Sequence, residues 1–478
     1  MSSTGLMSTI VVTKSSPVVV FPATSPSTAT PTTVKHIKLS SFDKALAFSP
    51  FTSFLVFDHA IHEPAETVRS ALSRALVHYF PVAGRAVVDA DDGGGVLRIS
   101  CTGEGVLFVS ASANCSLDDV KLFDPPFADL LRELAVVYPE ESCRQSDPLL
   151  LVQVTEFSCG GYVVGTTWNH ALADGTGMAQ FLHAVGDLAR GLPQPSAVLP
   201  VSCGDDDDSL PELPPLVTFI EKMMVTLQPQ GLVYQDITVP WKLVDRIRSD
   251  FAAAGHDEEP CTVFEAVVAV LWQCRTRVVM SDSDPDAPAP LVFAANVRRH
   301  VGARDGYFGN CVTSAVTIPR SGEVANGDIK DVVKLIKRAK QGIPSQFIKN
   351  NDDDDDSAAA NGEEEEEEEE EEGGGGLHYR QADYYSAPTA TTMIEQLGGV
   401  LFGYNAFYVS SWRNLGFDAA DMGGGTPARV MCHVELTAVP NCVACVPCRG
   451  KDGANVLALC VREEHVDAFL AALQNFVM

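Results

Sequence analysis

The chain has 478 residues, and 46 % of them are apolar, which is enough to fill one or two hydrophobic cores and excludes a small disulfide-held module. The formal charge of −29 is largely local, because acidic runs at 205–208, 352–356 and 363–372 carry nineteen negative charges and leave about −10 for the rest. Such a composition offers no basic stripe for a phosphate backbone, so we expect no nucleic-acid partner.

The N-terminal residues 1–33 are rich in Ser, Thr and Pro, and their apolar patch at Ile10–Val20 is interrupted by Lys14 and Pro17. A secretory signal needs an unbroken apolar run of about 7 to 15 residues, and a membrane span needs about 20. We therefore expect a flexible segment over 1–33 and a cytoplasmic protein without a membrane partner. The scattered single cysteines are typical of reduced structural thiols.

Strands and helices alternate through the first half of the chain. A strand is predicted at Val34–Leu39, followed by a turn or cap at Ser40–Asp43 and a second strand at Phe54–Phe57. Apolar residues at helical spacing predict a helix over Ala65–Tyr79, which ends before Pro81. Further strands are predicted at 96–99, 106–110 and 161–168, and a further helix is predicted at 178–190.

The second half repeats this alternation after a polar, proline-rich segment at 191–215, which predicts a linker. Two α/β domains of similar size, 34–190 and 216–478, are the division that we expect. In the second domain, helices are predicted at 263–277, 328–341 and 464–476, and strands at 291–296, 406–410 and 429–436.

Residues 350–376 of the second domain consist of successive poly-Asp, poly-Ala, poly-Glu and poly-Gly runs, with no apolar residue larger than Ala. Such a segment cannot bury enough surface to offset the entropy cost of ordering it. We therefore expect a disordered, solvated surface insert. An acidic tail for a basic partner is the alternative.

Cys442, Cys445 and Cys448 have the CxxCxxC spacing of some iron–sulfur and zinc sites. A closed site needs a fourth ligand, and His433 is the one nearby candidate. The surrounding apolar residues predict a strand end, where period-2 alternation would keep the three thiolates from converging. We therefore expect no metal.

The most informative stretch is the end of the strand at 161–168, which leads to His170 and then to the turn Asp174–Gly177. An imidazole at a strand end beside a Gly-containing turn is a candidate general base, and a buried structural histidine is the alternative. The HxxxD spacing recurs at His183 and Asp187, inside a predicted amphipathic helix. Because residues i and i+4 share a helix face, we interpret that copy as a local structural pair.

The pattern from His170 to Gly175, HxxxDG, resembles a motif of the BAHD family of plant acyl-CoA-dependent acyltransferases. Other segments resemble motifs of the same family. They are LSSFD at 39–43, LSRALVHYFPVAGR at 72–85, GEGV at 103–106, TVFE at 262–265 with Trp272 and Arg275, NVR at 296–298, GYFGN at 306–310 and SSW at 410–412. The resemblance covers nearly all of the chain except 1–33 and 342–380.

This resemblance implies an α/β fold with two domains like those of chloramphenicol acetyltransferase, with mixed sheets, covering helices and a channel between the domains. It implies that a coenzyme A thioester is the acyl donor, as a substrate rather than a cofactor, and that a small amine or alcohol is the acceptor. His170 would remove the acceptor proton and return it to the departing thiolate. No covalent acyl-enzyme and no metal would be needed.

The resemblance also assigns further site residues. Asp174 would hold the catalytic turn, and we expect it to form a bidentate ion pair with Arg298 across the domain boundary. The oxyanion needs a donor, and the candidates are a backbone amide or Thr166, Thr167, Ser410 and Ser411.

One motif departs from the family, because DFGWG appears here as Asp421-Met422-Gly423-Gly424-Gly425. In the family this loop lies away from the catalytic histidine and shapes the domain interface and the coenzyme channel. Its Asp is usually assigned a structural role, although it is often named together with the catalytic histidine. The resemblance thus adds Asp421 to the catalytic set with His170 and Asp174, and Gly423 and Gly425 to the coenzyme-binding set. The two missing aromatic residues leave a catalytically weakened or silent binding protein as the alternative function.

Two N-terminal segments resemble those of monocot members that act on benzoyl or hydroxycinnamoyl thioesters. They are VVTKSSPVVV and LSSFDKALAFSPFTSFLVF. The implied reaction is transfer of an aromatic acyl group to an alcohol or an amine, such as the arylalkylamine tryptamine, by a monomeric enzyme. An amine is protonated at neutral pH, so an acidic cleft would favour its capture.

Overall fold

The computed structural model describes residues 10–23, 35–89, 96–124, 127–139, 142–196, 200, 210–224, 227, 230–254, 259–280, 284–347, 397–432 and 439–477. The predicted acidic insert, 350–376, lies outside the described residues, as does 201–209 of the predicted linker. The described residues form two large hydrophobic cores, one for each half of the chain, with smaller clusters beside them.

The first domain is built on a seven-stranded mixed sheet. Its strands are, in order of pairing, β1 (Val12–Lys14), β7 (Val106–Ala113), β8 (Leu150–Glu156), β9 (Tyr162–Asn169), β4 (Pro50–Phe57) and β14 (Arg429–Cys432), and β2 (Val18–Val20) also pairs with β7. Strands β4 and β9 are antiparallel, and their register places Phe51 opposite Trp168. Strand β9 is buried along its whole length. The residue that follows it, His170, is therefore held at the end of a central strand.

A second, three-stranded sheet of the first domain is antiparallel and consists of β3 (Lys35–Lys38), β6 (Val96–Cys101) and β5 (Arg85–Asp89). The helices of this domain are α1 (Ser41–Ala45), α2 (Pro64–His78) and α3 (Gly175–Ala189). Tyr79, which ends α2, packs against Phe181 of α3 with ring centroids 5.2 Å apart. Helices α2 and α3 thus share the first core.

The second domain has a six-stranded sheet. Its strands are, in order, β10 (Gln235–Val239), β16 (Ala454–Leu459), β15 (Asn441–Cys445), β13 (Phe407–Ser411), β11 (Leu291–Asn296) and β12 (Val312–Thr317). The central pairs β15–β13 and β13–β11 are parallel. One face of this sheet contributes to the second core. On the other face, residues of β15 and β16 belong to the first core and residues of β11, β12 and β13 to a smaller cluster, so the two domains meet along the β15–β16 part of the sheet.

The helices of the second domain cover that sheet. They are α4 (Pro215–Met224), α5 (Trp241–Ala254), α6 (Val263–Val279), α7 (Ser321–Asn326), α8 (Ile329–Gln341) and α9 (Glu463–Val477). Helix α6 lies in the second core, and its Trp272 is fully buried. Thr262 and Glu265 form a capping box at the start of this helix. Short 3-10 helices lie at Phe80–Ala83, Lys121–Phe123, Phe127–Leu134, Pro344–Phe347 and Phe417–Ala419. Across the described ranges, no helix is long and apolar enough to cross a bilayer.

Strand β14 crosses between the two predicted domains. It lies within the predicted second domain, 216–478, but pairs with β4 of the first domain's sheet. An edge strand exposes unpaired backbone groups, and β14 covers the edge that β4 would otherwise present. Arg429 of β14 is fully buried and pairs with Asp236 of β10 and with Asp124, so this strand also ties the two domains together.

The N-terminal segment predicted to be flexible, 1–33, contains two short strands. Strands β1 and β2 both pair with β7, with Lys14 opposite Ala111 and Val18 opposite Phe108. Pro17 lies between them, where no ladder hydrogen bond is required. Edge pairing gives backbone hydrogen bonds to segments too short to form a core of their own, and the hydropathy pattern does not reveal it.

Candidate active site

His170 lies where the two domains meet. Its backbone N–H donates to the carbonyl of Ser49 at 2.9 Å, and the residue is only 8 % exposed. The imidazole meets the ring of Phe51 edge-on, with centroids 5.0 Å apart, and Phe51 stacks on Trp412 of the second domain at 6.0 Å. Phe51 is 36 % exposed whereas Trp412 is only 4 % exposed, so Phe51 presents an accessible aromatic ring beside the histidine.

The side chain of Asn310 fixes the protonation form of the imidazole. Its Nδ2 lies 2.8 Å from the carbonyl oxygen of His170 and 2.8 Å from Oδ1 of Asp43, and both of these atoms are acceptors. The amide nitrogen must face them, so Oδ1 of Asn310 faces Nδ1 of His170 at 2.9 Å. An amide oxygen accepts only, so Nδ1 carries the proton and Nε2 keeps its lone pair.

The surroundings of His170 also set its charge. Burial lowers the pKa of the imidazole from its ordinary value, while the negative charges of Asp174 and Asp43 and the hydrogen bond to Asn310 oppose part of this effect. The neutral form therefore prevails at neutral pH. A neutral ring with a free Nε2 is able to accept a proton, as a general base must.

Asp43 is a buried carboxylate that only donors surround. Its Oδ1 accepts from the backbone N–H of Asn310 at 2.9 Å and from Nδ2, while Oδ2 accepts from the N–H and hydroxyl of Ser40 at 2.9 and 2.6 Å. Burial raises the pKa of Asp43, against these hydrogen bonds. Asp43 was predicted to lie in a turn or cap and was given no part in the site, although its spacing from Ser40 is the signal for a helix cap.

Asp174 holds the turn that follows His170. It is the N-cap of α3 and accepts from the N–H of Gly177 at 3.0 Å, while Arg298 donates two hydrogen bonds to it at 2.8 and 2.9 Å. The N–H of Cys311 donates at 3.0 Å. The structure thus brings together the two residues that we expected to pair. The carboxylate's described hydrogen bonds go to these groups and not to the His170 ring.

Glycine is required at position 177. A Cβ there would lie 1.8 Å from the carbonyl oxygen of Phe308, so α3 begins in direct backbone contact with the second domain. This close approach brings the turn at 309–310 next to the turn that follows His170. The predicted helix at 178–190 starts later than α3, because glycine is a poor helix former and 175–177 was predicted as a turn.

The second HxxxD copy has a different arrangement from the predicted local pair. His183 donates to the carbonyl oxygen of Gly416 at 2.6 Å, while Asp187 accepts from Arg190 at 2.5 Å and from Ser196. The direct pairing of His183 with Asp187 is therefore wrong, because each side chain turns to the loop that packs on its end of α3. Both partners are structural.

The four hydroxyl candidates for the oxyanion lie in two environments. Thr166 and Thr167 are 0 and 1 % exposed, and Thr167 shares a 2.8 Å hydrogen bond with Thr52. Neither reaches accessible space. Ser410 and Ser411 are partly exposed at the end of β13, just before Trp412. Of the four, only this serine pair lies where a substrate could contact it.

Asp421 organises its own loop. Its Oδ1 accepts from the N–H groups of Gly423 and Gly425 at 2.8 and 2.9 Å, and both glycines have left-handed φ values, +124° and +127°. Arg190 at the end of α3 lies 3.6 Å from the carboxylate. No described contact joins Asp421 to His170, so the structure does not place this residue in the catalytic set.

A histidine fills the space beside the altered loop. A Cβ at Gly424 would lie 2.3 Å from Cδ2 of His59, and the His59 ring packs against Phe57 and Tyr162 with centroids 5.6 and 6.2 Å away. An aromatic side chain at position 424 would need the same space. The missing tryptophan of the motif therefore does not leave a cavity here.

We expect Gly424→Trp to destabilise the protein by about 1 to 3 kcal/mol, because the indole would overlap the ring of His59. Thermal unfolding measures the effect. Adding His59→Gly to the same chain should recover part of the lost stability, whereas His59→Gly alone should only lower it. A Gly424→Trp protein as stable as the wild type would contradict this account of the loop.

The cysteine cluster does not converge. Cys442 belongs to the second core and Cys445 to the first, because they lie on opposite faces of β15. His433, the candidate fourth ligand, lies outside the described residues. Among the residues that the structure describes, no group of three His, Cys, Asp or Glu side chains could hold a metal.

Comparison with known proteins identifies the family. The family model described as "Transferase family" matches residues 10–475. Acyl transferase 15 of Oryza sativa subsp. japonica is 42 % identical over 96 % of this chain and 97 % of its own. Myricetin 3-O-glucosyl 1,2-rhamnoside 6'-O-caffeoyltransferase AT2 of Crocosmia x crocosmiiflora is 30 % identical over 97 % of this chain and 99 % of its own.

A solved structure has the same fold. The crystal structure of vinorine synthase covers 97 % of this chain and 98 % of its own, with a TM-score of 0.66 and 17 % identity. This likeness concerns the fold, and the acyl-transferring class of the enzyme rests on the family model and the acyltransferase relatives. The chain belongs to the Transferase family, the BAHD acyltransferases, as its motifs indicated.

Proposed function

We propose that this enzyme transfers an aromatic acyl group, benzoyl or hydroxycinnamoyl, from coenzyme A to a small alcohol or amine, with His170 as the general base. The observation that carries the proposal is the buried, neutral imidazole whose Nδ1 is bonded to Asn310, which leaves Nε2 to accept a proton. The thioester is a substrate, and His170 supplies the acid–base chemistry.

In the proposed reaction, Nε2 of His170 takes the proton of the acceptor hydroxyl or amine as its oxygen or nitrogen attacks the thioester carbonyl carbon. The tetrahedral intermediate then collapses, the carbon–sulfur bond breaks, and the imidazolium returns the proton to the thiolate of coenzyme A. Ser410 and Ser411 are the candidate side-chain donors for the oxyanion. Holding both substrates at one histidine reduces the entropy cost of their encounter.

Support for an aromatic acyl group comes from Phe51. Its ring is accessible, meets the imidazole edge-on and stacks on Trp412, so an aromatic substituent near the reacting carbonyl would have a ring to pack against. The Crocosmia relative is named as a caffeoyltransferase, which is consistent with a hydroxycinnamoyl donor, and its sugar acceptor favours an alcohol. The acidic body charge is the argument for an amine such as tryptamine.

The test is to incubate the purified protein with benzoyl-CoA or coumaroyl-CoA and a panel of alcohols and amines. Free thiol should appear faster than by spontaneous hydrolysis, together with a new ester or amide in the mass spectrum. Acetyl-CoA serves as the matched non-aromatic donor, and we expect slower transfer from it. No acceptor-dependent thiol release from any donor would favour the alternative, a catalytically silent binding protein.

The pH dependence of kcat/KM follows from the charge state of His170. A general base must be unprotonated, so activity rises as pH increases through its pKa, and burial places that pKa below 6.5. We therefore expect the acidic limb to have its midpoint below 6.5. Initial rates with an alcohol acceptor between about pH 4.5 and 8 measure it without interference from an amine. A midpoint above 6.5 would contradict the inference that burial lowers the pKa of the His170 imidazole.

A further inference from the structure

We propose that Asp43 is a positioning residue for the catalytic base: acting through Asn310, it holds the imidazole of His170 in the form that carries its proton on Nδ1. This inference rests on the proposed role of His170 as the general base. Asp43 lies in α1, far from the HxxxD motif in the chain, and the fold brings it to the site.

The connection runs through two buried side chains. Asp43 is 2 % exposed and Asn310 is 0 % exposed, so water does not compete for the hydrogen bonds between them. Asp43 accepts both the backbone N–H and the side-chain Nδ2 of Asn310 through one oxygen, Oδ1. Asn310 then presents its own oxygen to Nδ1 of His170 at 2.9 Å.

The carboxylate of Asp43 determines which way the side-chain amide of Asn310 is oriented. If the amide of Asn310 were reversed, its oxygen would lie against Oδ1 of Asp43 and the carbonyl of His170, and both contacts would be repulsive. Asp43 thus sets the orientation of the amide, and the amide sets which imidazole nitrogen is protonated. The protonated Nδ1 leaves Nε2 as the basic atom, which is the state that proton abstraction requires.

The charge of Asp43 is compensated differently from that of Asp174. Asp174 is paired with Arg298, whereas within the described part of the chain no Lys or Arg pairs with Asp43, whose hydrogen bonds come from neutral groups. These two carboxylates are the charged groups whose fields act on His170. The charge on Asp43 therefore also favours the imidazolium that forms as the acceptor loses its proton.

Two substitutions separate geometry from charge. Asp43→Ala removes the acceptor for Asn310, and we expect kcat to fall about 10 to 100-fold. Asp43→Asn restores an oxygen acceptor without the charge, so it should recover most of kcat and move the acidic limb of kcat/KM to lower pH. Ser40→Ala is the comparison, because it removes the hydrogen bond to the other carboxylate oxygen and the α1 cap while Oδ1 still accepts from Asn310; it should lower the Tm and leave the His170 proton on Nδ1.

Nitrogen NMR of protein labelled with ¹⁵N-histidine tests the same inference without activity, with the His170 signals assigned by their loss in His170→Gln. The wild type should have the Nδ1–H form near neutral pH, and Asp43→Ala should add the Nε2–H form. An unchanged proton position and acidic limb in Asp43→Ala, with only a lower Tm, would overturn the proposal. If no thioester is turned over, the proposed function fails, and the NMR result still decides this inference.

Discussion

Replacing His170 with alanine is expected to remove nearly all turnover, by about 100 to 10,000-fold in kcat, because His170 is the group that we propose takes the acceptor proton. The fold should survive, since the side chain makes one described hydrogen bond, to Asn310. Thiol release measures the rate, and circular dichroism with thermal unfolding verifies the fold.

His183→Ala is the matched control, because it removes the histidine of the second HxxxD copy from a helix of the same domain. This histidine donates to the carbonyl of Gly416, so its loss should lower the Tm and leave kcat within about threefold. Equal loss of turnover in both variants, with both still folded, would mean that neither histidine acts as the base.

The long helices could be predicted from the sequence because their signals are local. Apolar periodicity placed α2, α6, α8 and α9 within two residues of their observed ends. In α6 and α8 the caps Thr262 and Asp328 reinforce that pattern. In α2 the start is marked instead by Pro64 in the first turn, and α6 differs from the others because residues 265–276 are buried on all sides.

Several strands were not predicted. β1 and β2 are short edge strands, and their hydrogen bonds go to β7, far along the chain, so no local pattern marks them. β5, β8, β10, β12 and β16 were also missed, whereas the predicted strand at 429–436 contains β14, whose pairing with β4 is the part that no local pattern shows. Strand β9 was predicted, but both of its faces are buried. Period-2 alternation therefore could not reveal that Thr166 and Thr167 are inaccessible.

The candidate site also has residues that the sequence marks locally and contacts that only the tertiary structure creates. His170, Asp174 and Arg298 could be selected because they lie in recognisable motifs. Asp43 and Asn310 also lie in such motifs, but their connection to the imidazole exists only where α1, the turn at 309–310 and the end of β9 meet. The proton position on His170 is therefore a property of the assembled domains rather than of any one segment.

The same assembly explains why the ion pair across the domain boundary should affect catalysis. Arg298 donates to both oxygens of Asp174 and also to the carbonyl of Gly309, the residue before Asn310. Asp174 is 2 % exposed and Arg298 is 15 % exposed at the side chain, so the pair is largely withdrawn from water. It fixes the turn after His170 to the turn that orients the ring.

We therefore expect Asp174→Asn and Arg298→Met each to destabilise the protein by about 3 to 5 kcal/mol, because either change leaves a buried charge without its partner. Both should also reduce kcat more than they raise KM, since the turn that carries Asn310 would no longer be held in the position that orients the imidazole of His170. The double variant should lose less than the sum of the single losses, by about 1 to 3 kcal/mol. Denaturant unfolding and steady-state kinetics on the wild type, the two single variants and the double variant complete this double-mutant cycle.

Arg190→Met is the control for this cycle, because Arg190 also pairs with carboxylates, Asp187 and Asp421, but is more exposed and contacts neither catalytic turn. It should cost less stability than either change in the Asp174–Arg298 pair, because Arg190 is 33 % exposed and Asp187 keeps its hydrogen bonds from Ser196, and it should leave kcat unchanged. Strict additivity of the Asp174 and Arg298 effects would mean that the two residues act independently. In that case the cap on α3 would be the whole role of Asp174, and the register between the two turns would have to come from Gly177 and its contact with the second domain.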